Sequence, residues 1–361
     1  MVLVDGQNSV LCERGGARGV ALTKKPTMSD IAVACGVSQA TVSLVLNHAP
    51  GTRISAATRE AVQRKAAEIG YNAAVRRIER RPLIAMLIND VTSSPHAAGL
   101  IEGVAEAANE LGYLISVMPT AGDEETEHAA LDYLATLPVA GVVYARLITQ
   151  QVTIPPRLSE WPTVLLNCYA TDDSFPSVVP GDLAAAMKAA LLLIDAGHTR
   201  IAYIGGEDSI EASRERIKGY RRALTMRDIP VDPELILKGG WTIRGGYNAF
   251  KRLRTLDEPP TAICCFCDRT AMGVYAAAAE AGLSIPGDVS VIGFDNESYT
   301  ADMLPPLTTM ELPHIDMGRY AVEQLAEIIA TPRSRRDNYK MKLECETIER
   351  QSVAKPSRRT M

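Results

Sequence analysis

The chain has 361 residues, 47% of them hydrophobic, which is enough for two or three ordinary domains with a sizeable core. No apolar run approaches the ~20 residues that a bilayer-spanning helix needs, and seven scattered cysteines, an odd number, argue against a disulfide framework and for a reducing compartment. A net charge of −5 argues against a chain that binds nucleic acid along its whole length.

Residues 1–26 lack the basic start, apolar run and small-residue cleavage site of a signal peptide. They are expected to form a disordered arm, or an over-long start to the chain, on a protein of the cytoplasm. Three short helices are predicted next. The first runs from about Ser29 to Cys35, with Ile31, Ala32 and Cys35 inward. Gly36 supplies a tight turn, and Ser38 opens a second helix to Asn47, its hydroxyl placed to cap an orphan N–H. Val42, Val45 and Leu46 form the inward stripe of that helix, whereas Leu44 shares the opposite face with Ala40, Ser43 and Asn47. The third helix runs from Ser55 to Ile69 and ends at Gly70. Helix, glycine turn, helix is the helix-turn-helix arrangement, whose second helix enters the DNA major groove. Charge supports it: from Arg53 to Arg81 eight basic residues stand against three glutamates, a basic module on an acidic body.

Beyond Pro82 the texture changes. Apolar runs at 83–89, 114–119, 140–145, 162–167, 200–206, 262–267 and 289–294 alternate with amphipathic stretches near 97–111, 124–136, 182–196, 212–228 and 270–281. Strands alternating with helices predict an α/β protein, here two doubly wound parallel-sheet subdomains with a cleft between them.

At this point the motifs carry a resemblance. "KKPTMSDIAVACGVSQATVSLVLN", "GHTRIAYIGG", "RERIKGYRRAL", "CDRTAMGVYAAAAEAGLSIPGDVSVIGFDN" and "LPPLTTMELPHIDMGRYAVEQL" resemble, in order, the LacI/GalR transcriptional regulators over about residues 24–352. The resemblance implies a helix-turn-helix headpiece and a periplasmic-binding-protein-like core. It implies a homodimer on a near-palindromic double-stranded DNA operator and a small effector in the interlobe cleft. The expected division is an arm (1–26), a DNA-binding domain (27–74), a hinge (75–82), a core (83–352) and a tail (353–361). Within the core, subdomain 1 takes about 83–180 and 313–338, and subdomain 2 about 181–312 and 339–352.

By this similarity Gln39, Ala40 and Leu44 reach base edges, while Ser38, Thr41, Ser43 and Asn47 set register on phosphates, with Ser55 added to that surface. Many relatives have arginine in place of Leu44; leucine trades a bidentate guanine contact for packing on a thymine methyl. The segment "YNAAVRRIERRP" is shorter than the usual hinge and lacks its proline. Ile78 is the nearest apolar wedge for the minor groove, or else packs between hinge and core. Arg76, Arg77, Arg80 and Arg81 are placed for phosphates.

For the cleft, the resemblance points to Arg216 in "RIKGY", Asp295 in "GFDN", Trp241 in "GGWT" and Asn167 after "PTVLLN". Asp268 stands in "FCD", where Cys267 replaces the usual asparagine. Trp241 has core packing as its alternative, and Asp268 and Asp295 have helix capping. His96 stands where many relatives place an aromatic pair, and either faces the cleft or is solvated. One aromatic wall favours a sugar or sugar acid over a stacked purine. Cys264, Cys265 and Cys267 have no second ligand pair, so no metal is expected. No dinucleotide or phosphate-loop fingerprint implies a cofactor. The five histidines form no visible nucleophile–base set, so no enzyme is expected. The tail has no leucine heptad, which limits assembly to a dimer. The reading is a sugar-responsive repressor of carbohydrate-utilisation genes; the alternative is a solute-binding protein built on the same two-lobed core.

Overall fold

A computed structural model describes residues 27–46, 54–69, 71, 81–331 and 339–357. They belong to two compact units that divide between Arg80 and Arg81. The predicted arm, Asn47, Arg76, Arg77 and Ile78 lie outside the described residues.

Local signals start each helix of the first unit. Thr27 and Asp30 form a reciprocal capping box at the head of α1 (Met28–Cys35). Gly36 then takes φ 63°, a left-handed value that costs glycine little. Ser38 Oγ accepts the Thr41 N–H at 3.1 Å and opens α2 (Gln39–Leu46). Ser55 Oγ does the same for Thr58 at α3 (Ala56–Glu68). Each such cap is worth about 1 kcal/mol. Helices α1 and α2 bend by 108° at the turn, within the helix-turn-helix range. Ile31, Ala32, Val42, Val45, Val62 and Ala66 close the core beneath them.

In the second unit, β1 (Leu83–Ile88) leads to α4 (His96–Glu110), β2 (Leu114–Pro119), α5 (Glu124–Leu134), β3 (Val139–Val152), β4 (Thr163–Ala170) and β5 (Ser177–Pro180). The chain then crosses to a second lobe: α6 (Asp182–Asp195), β6 (Ile201–Gly205), α7 (Glu211–Met226), β7 (Ile236–Lys238), α8 (Ile243–Leu253), β8 (Ala262–Cys265), α9 (Asp268–Glu280), β9 (Ser290–Ile292) and β10 (Thr309–Glu311). It returns with α10 (His314–Ala330) and ends in β11 (Lys340–Leu343) and β12 (Glu346–Ile348).

The first sheet has the order β11-β5-β4-β3-β1-β2 and the second β7-β6-β8-β9, parallel throughout, with β10 and β12 as an antiparallel pair. Strand β11 lies in the first sheet, so the expected boundary at 338/339 is corrected: the last crossing comes after Leu343. Helices cover both faces of each sheet, which is why "LIAMLI" reads as an unbroken apolar run. Helices α4 and α10 pack with their backbones nearly touching, since a Cβ on Gly103 would stand 1.9 Å from the Ile315 carbonyl oxygen. The segments after β8 and β9 deliver Cys267 and Asp295, and β4 delivers Asn167 from its middle at φ 57°, to one crevice at the usual ligand position in open α/β sheets.

Candidate functional site

Each unit carries one candidate surface. On the first, Ser38, Gln39, Ala40 and Leu44 are exposed and Thr41 and Ser43 half-buried. Leu44 keeps 39% of its surface in solvent while Val42 and Val45 of the same helix are fully buried, so α2 presents an apolar side chain outward. Ser38 and Thr41 hydroxyls also bond each other at 2.9 Å. Ser55 is exposed, but its Oγ is committed to Thr58 as a cap. Val33 on α1, 82% exposed, is a second outward apolar residue that the sequence reading passed over. Arg81, the first residue of the second unit, donates to Asn109 Oδ1 and to the Asn109 carbonyl at 3.0 and 2.8 Å.

The second surface is a cavity of about 220 Å³ between the lobes of the second unit. Asn167, Arg216, Trp241, Asp295 and His96 all line it. Arg216 is 4% exposed; its Nε donates to Asp182 Oδ1 at 2.7 Å and its Nη1 to the Phe266 carbonyl at 2.6 Å. Nη1 also lies 3.7 Å from Asp295 Oδ1, and the guanidinium rests on the Phe294 ring, 3.5 Å from the centroid. Burial opposes its charge, yet the carboxylates of Asp182 and Asp295 outweigh that and raise its pKa further. Its partner Asp182 stands 34 positions away at the head of α6 and has no local signature.

Asp295 sits at φ 116°, a conformation that costs a non-glycine residue about 1–3 kcal/mol and is over-determined here by its N–H bond to Met310 and by Arg216. Its other oxygen faces His96 Nε2 at 3.8 Å, and Glu297 Oε1 lies 3.9 Å from the same nitrogen. Burial pushes the His96 pKa down, but Asp295 and Glu297 push harder and raise it. This triad of side chains joins the first lobe, through α4, to the loop after β9 in the second.

Asn167 has φ 57° and a nearly saturated amide. Nδ2 donates to the Arg146 and Leu147 carbonyls at 3.1 and 2.9 Å, and Oδ1 accepts from Thr149 at 2.6 Å. One acceptor lone pair is left for a ligand. Trp241 lines the cavity and packs edge-on against Phe266, with centroids 4.6 Å apart, so lining and core packing are both realised.

Asp268 does not line the cavity, which corrects its expected place there. It is fully buried in the first turn of α9 and accepts from Thr309 Oγ1 at 2.7 Å and the Glu297 N–H at 2.9 Å, bracing the loop that carries Asp295 and Glu297. Burial, and then the nearby Asp295 charge, hold its carboxyl well above the usual range.

Glu297, His314 and Arg269 also line the cavity and were missed, because nothing in their local sequence marks them. His314 stacks on His96 with centroids 4.8 Å apart. Burial, then the charges of His96 and Arg216, push His314 down to about 3. A depressed histidine takes its proton only on unfolding, so its contribution to stability falls as pH drops below 6.5. Between pH 6.5 and about pH 5 the wild type is expected to lose about 2 kcal/mol relative to a His314→Gln variant. Denaturant titrations at both pH values check this, and parallel slopes for the two proteins contradict it.

Among the described residues no single helix is long and apolar enough to cross a membrane. Residues 27–73 match the family profile of lacI-family bacterial regulatory proteins, and residues 190–353 that of a periplasmic binding protein-like domain. The chain is 34% identical over 308 residues to the HTH-type transcriptional repressor CytR of Escherichia coli K12, covering 82% of this chain and 87% of that protein. Among solved structures it is similar to a LacI-family transcriptional regulator from Rhizobium etli (28% identity, TM-score 0.70, 76% of this chain and 100% of that one). It is also similar to the regulator CelR in complex with cellobiose (26% identity, TM-score 0.64, 91% and 99%).

Proposed function

The chain belongs to the LacI family of bacterial regulatory proteins, and from that premise we propose that it is a dimeric, cytoplasmic repressor of carbohydrate-utilisation genes whose operator affinity is set by a small sugar. One observation carries the proposal. The cavity is walled by both lobes, and its polar groups meet across the gap, His96 facing Asp295 and Glu297 at 3.8 and 3.9 Å. A ligand that donates hydrogen bonds to Asp295 and Glu297 competes with His96 for them. It therefore binds the open and closed lobe arrangements with different affinity, which is the condition for coupling to a distant site.

Sugar hydroxyls suit this chemistry. Asp295 and Glu297 accept from them, and Trp241 offers an apolar surface to sugar C–H groups. The cavity, about 220 Å³, has room for a single sugar ring, and a wider hollow beside it shares His96, Asp295, Glu297 and His314. Among the described lining residues no serine or cysteine is hydrogen-bonded to a histidine ring, which supports a reading of binding without turnover. On the DNA side, α2 enters the major groove with Gln39, Ala40 and Leu44 on base edges, and Ser38, Thr41 and Ser43 toward phosphates.

The test is selection of duplexes from a random pool by the full-length protein at fixed salt, with and without a panel of sugars. A near-palindrome of two related half-sites, with enrichment that changes when one sugar is added, is the expected result. Enrichment of no sequence under any condition overturns the reading.

A further inference from the structure

Arg269 is the odd member of the cavity wall. It stands in the first turn of α9, half-buried, and lines the cavity. The basic groups facing carboxylates there are Arg216, beside Asp182 and Asp295, and His96, beside Asp295 and Glu297. Arg269 has no hydrogen bond and no ion pair among the described residues. Its sequence neighbour Asp268 is turned into the interior and engaged by Thr309 and the Glu297 N–H, so it does not answer that charge. Cys267 beside it is a neutral thiol, pushed up to about 11 by burial. A guanidinium held at a cavity wall without a partner is a positive centre waiting for an anion, and its planar fork matches carboxylate and phosphate oxygens. The N-terminal end of α9 adds its dipole in the same sense.

Resting on the sugar-responsive reading above, we propose that the effector is an anionic monosaccharide whose carboxylate or phosphate is bound by Arg269, while its hydroxyls go to Asp295 and Glu297. Arg216 does not serve as the anion site, because two carboxylates already neutralise it and the Phe266 carbonyl takes Nη1. Arg269 is thus the residue that separates charged sugars from neutral ones.

Titration calorimetry of the full-length protein at fixed ionic strength tests this. The probes are D-galacturonate, D-glucuronate, D-glucose 6-phosphate, the neutral D-galactose and D-glucose, and cytidine. Binding of an acid or a phosphate is expected, with the parent neutral sugar about tenfold weaker or more; which of the two binds tells carboxylate from phosphate. Arg269→Gln is expected to weaken the charged sugar by about tenfold or more and leave the neutral one unchanged, with Arg269→Lys intermediate. Because Arg269 has no partner to lose, thermal unfolding of Arg269→Gln should match the wild type. Neutral sugars binding as tightly as charged ones, or Arg269→Gln changing the charged affinity by less than about twofold, overturn the proposal and leave the sugar reading standing. Heat from cytidine alone, or from no probe, overturns the sugar reading and this proposal with it.

Discussion

Arg216→Met is expected to destabilise the two-lobed unit by about 3–5 kcal/mol, the typical result of removing one partner from a buried ion pair. Its guanidinium is 4% exposed and answers Asp182 at 2.7 Å and the Phe266 carbonyl at 2.6 Å. Methionine fills part of the space above Phe294 but leaves the Asp182 carboxylate buried beside no cation, and the carbonyl without its donor. Burial already pulls the Asp182 pKa upward against Arg216. In the variant that carboxylate takes a proton more readily, so the deficit relative to wild type should shrink as pH is lowered from about 8 to about 5. Replacing both partners, Arg216→Met with Asp182→Leu, should recover much of the loss, because no charge is then stranded. Denaturant unfolding of the three proteins at both pH values measures all of this. A single-variant loss below about 1 kcal/mol, or no recovery in the double variant, would mean the pair is not the brace its geometry implies.

Leu44→Arg is expected to move the preferred base in each half-site from thymine to guanine, by about 1–3 kcal/mol per contact, or roughly 10- to 100-fold. In a dimer the change is made twice. The physical ground is that Leu44 is exposed on the outer face of α2 while Val42 and Val45 are buried beneath it. An apolar side chain there favours a thymine methyl, whereas a guanidinium reaches guanine O6 and N7 together. Repeating the duplex selection with the variant, followed by affinity measurements on matched duplex pairs at fixed salt, gives the outcome. An unchanged base preference at the touched position would remove Leu44 from the reading surface.

The headpiece was legible because everything that makes it is local. Thr27 and Asp30 reach each other within three residues, Ser38 and Ser55 cap the helices they precede, and Gly36 turns the chain where a side chain would be strained. Capping, turn chemistry and a 3.6-residue apolar period act over one or two helical turns and can be read along the chain. The alternation of buried strands and amphipathic helices in the core was legible for the same reason. Strands such as β5, β7, β10 and β12 were not, since three or four residues carry no periodicity and pair only because neighbouring segments present an edge.

The cleft divides along the same line. Its motifs mark which segments arrive there, and five of the six named residues do line it. What each does depends on partners distant in the chain. Arg216 meets Asp182 from the start of α6; Asp268 turns inward to Thr309, 41 residues on; His96 finds Asp295 and Glu297 in the opposite lobe. The sequence by itself determined the headpiece helices and the main alternation of buried strands and amphipathic helices in the core, because those rest on short-range torsional and hydrogen-bonding preferences. Only the tertiary structure decided which charges are answered and which one, at Arg269, is left facing the cavity, because electrostatic pairing is settled by distance in space and not by separation along the chain.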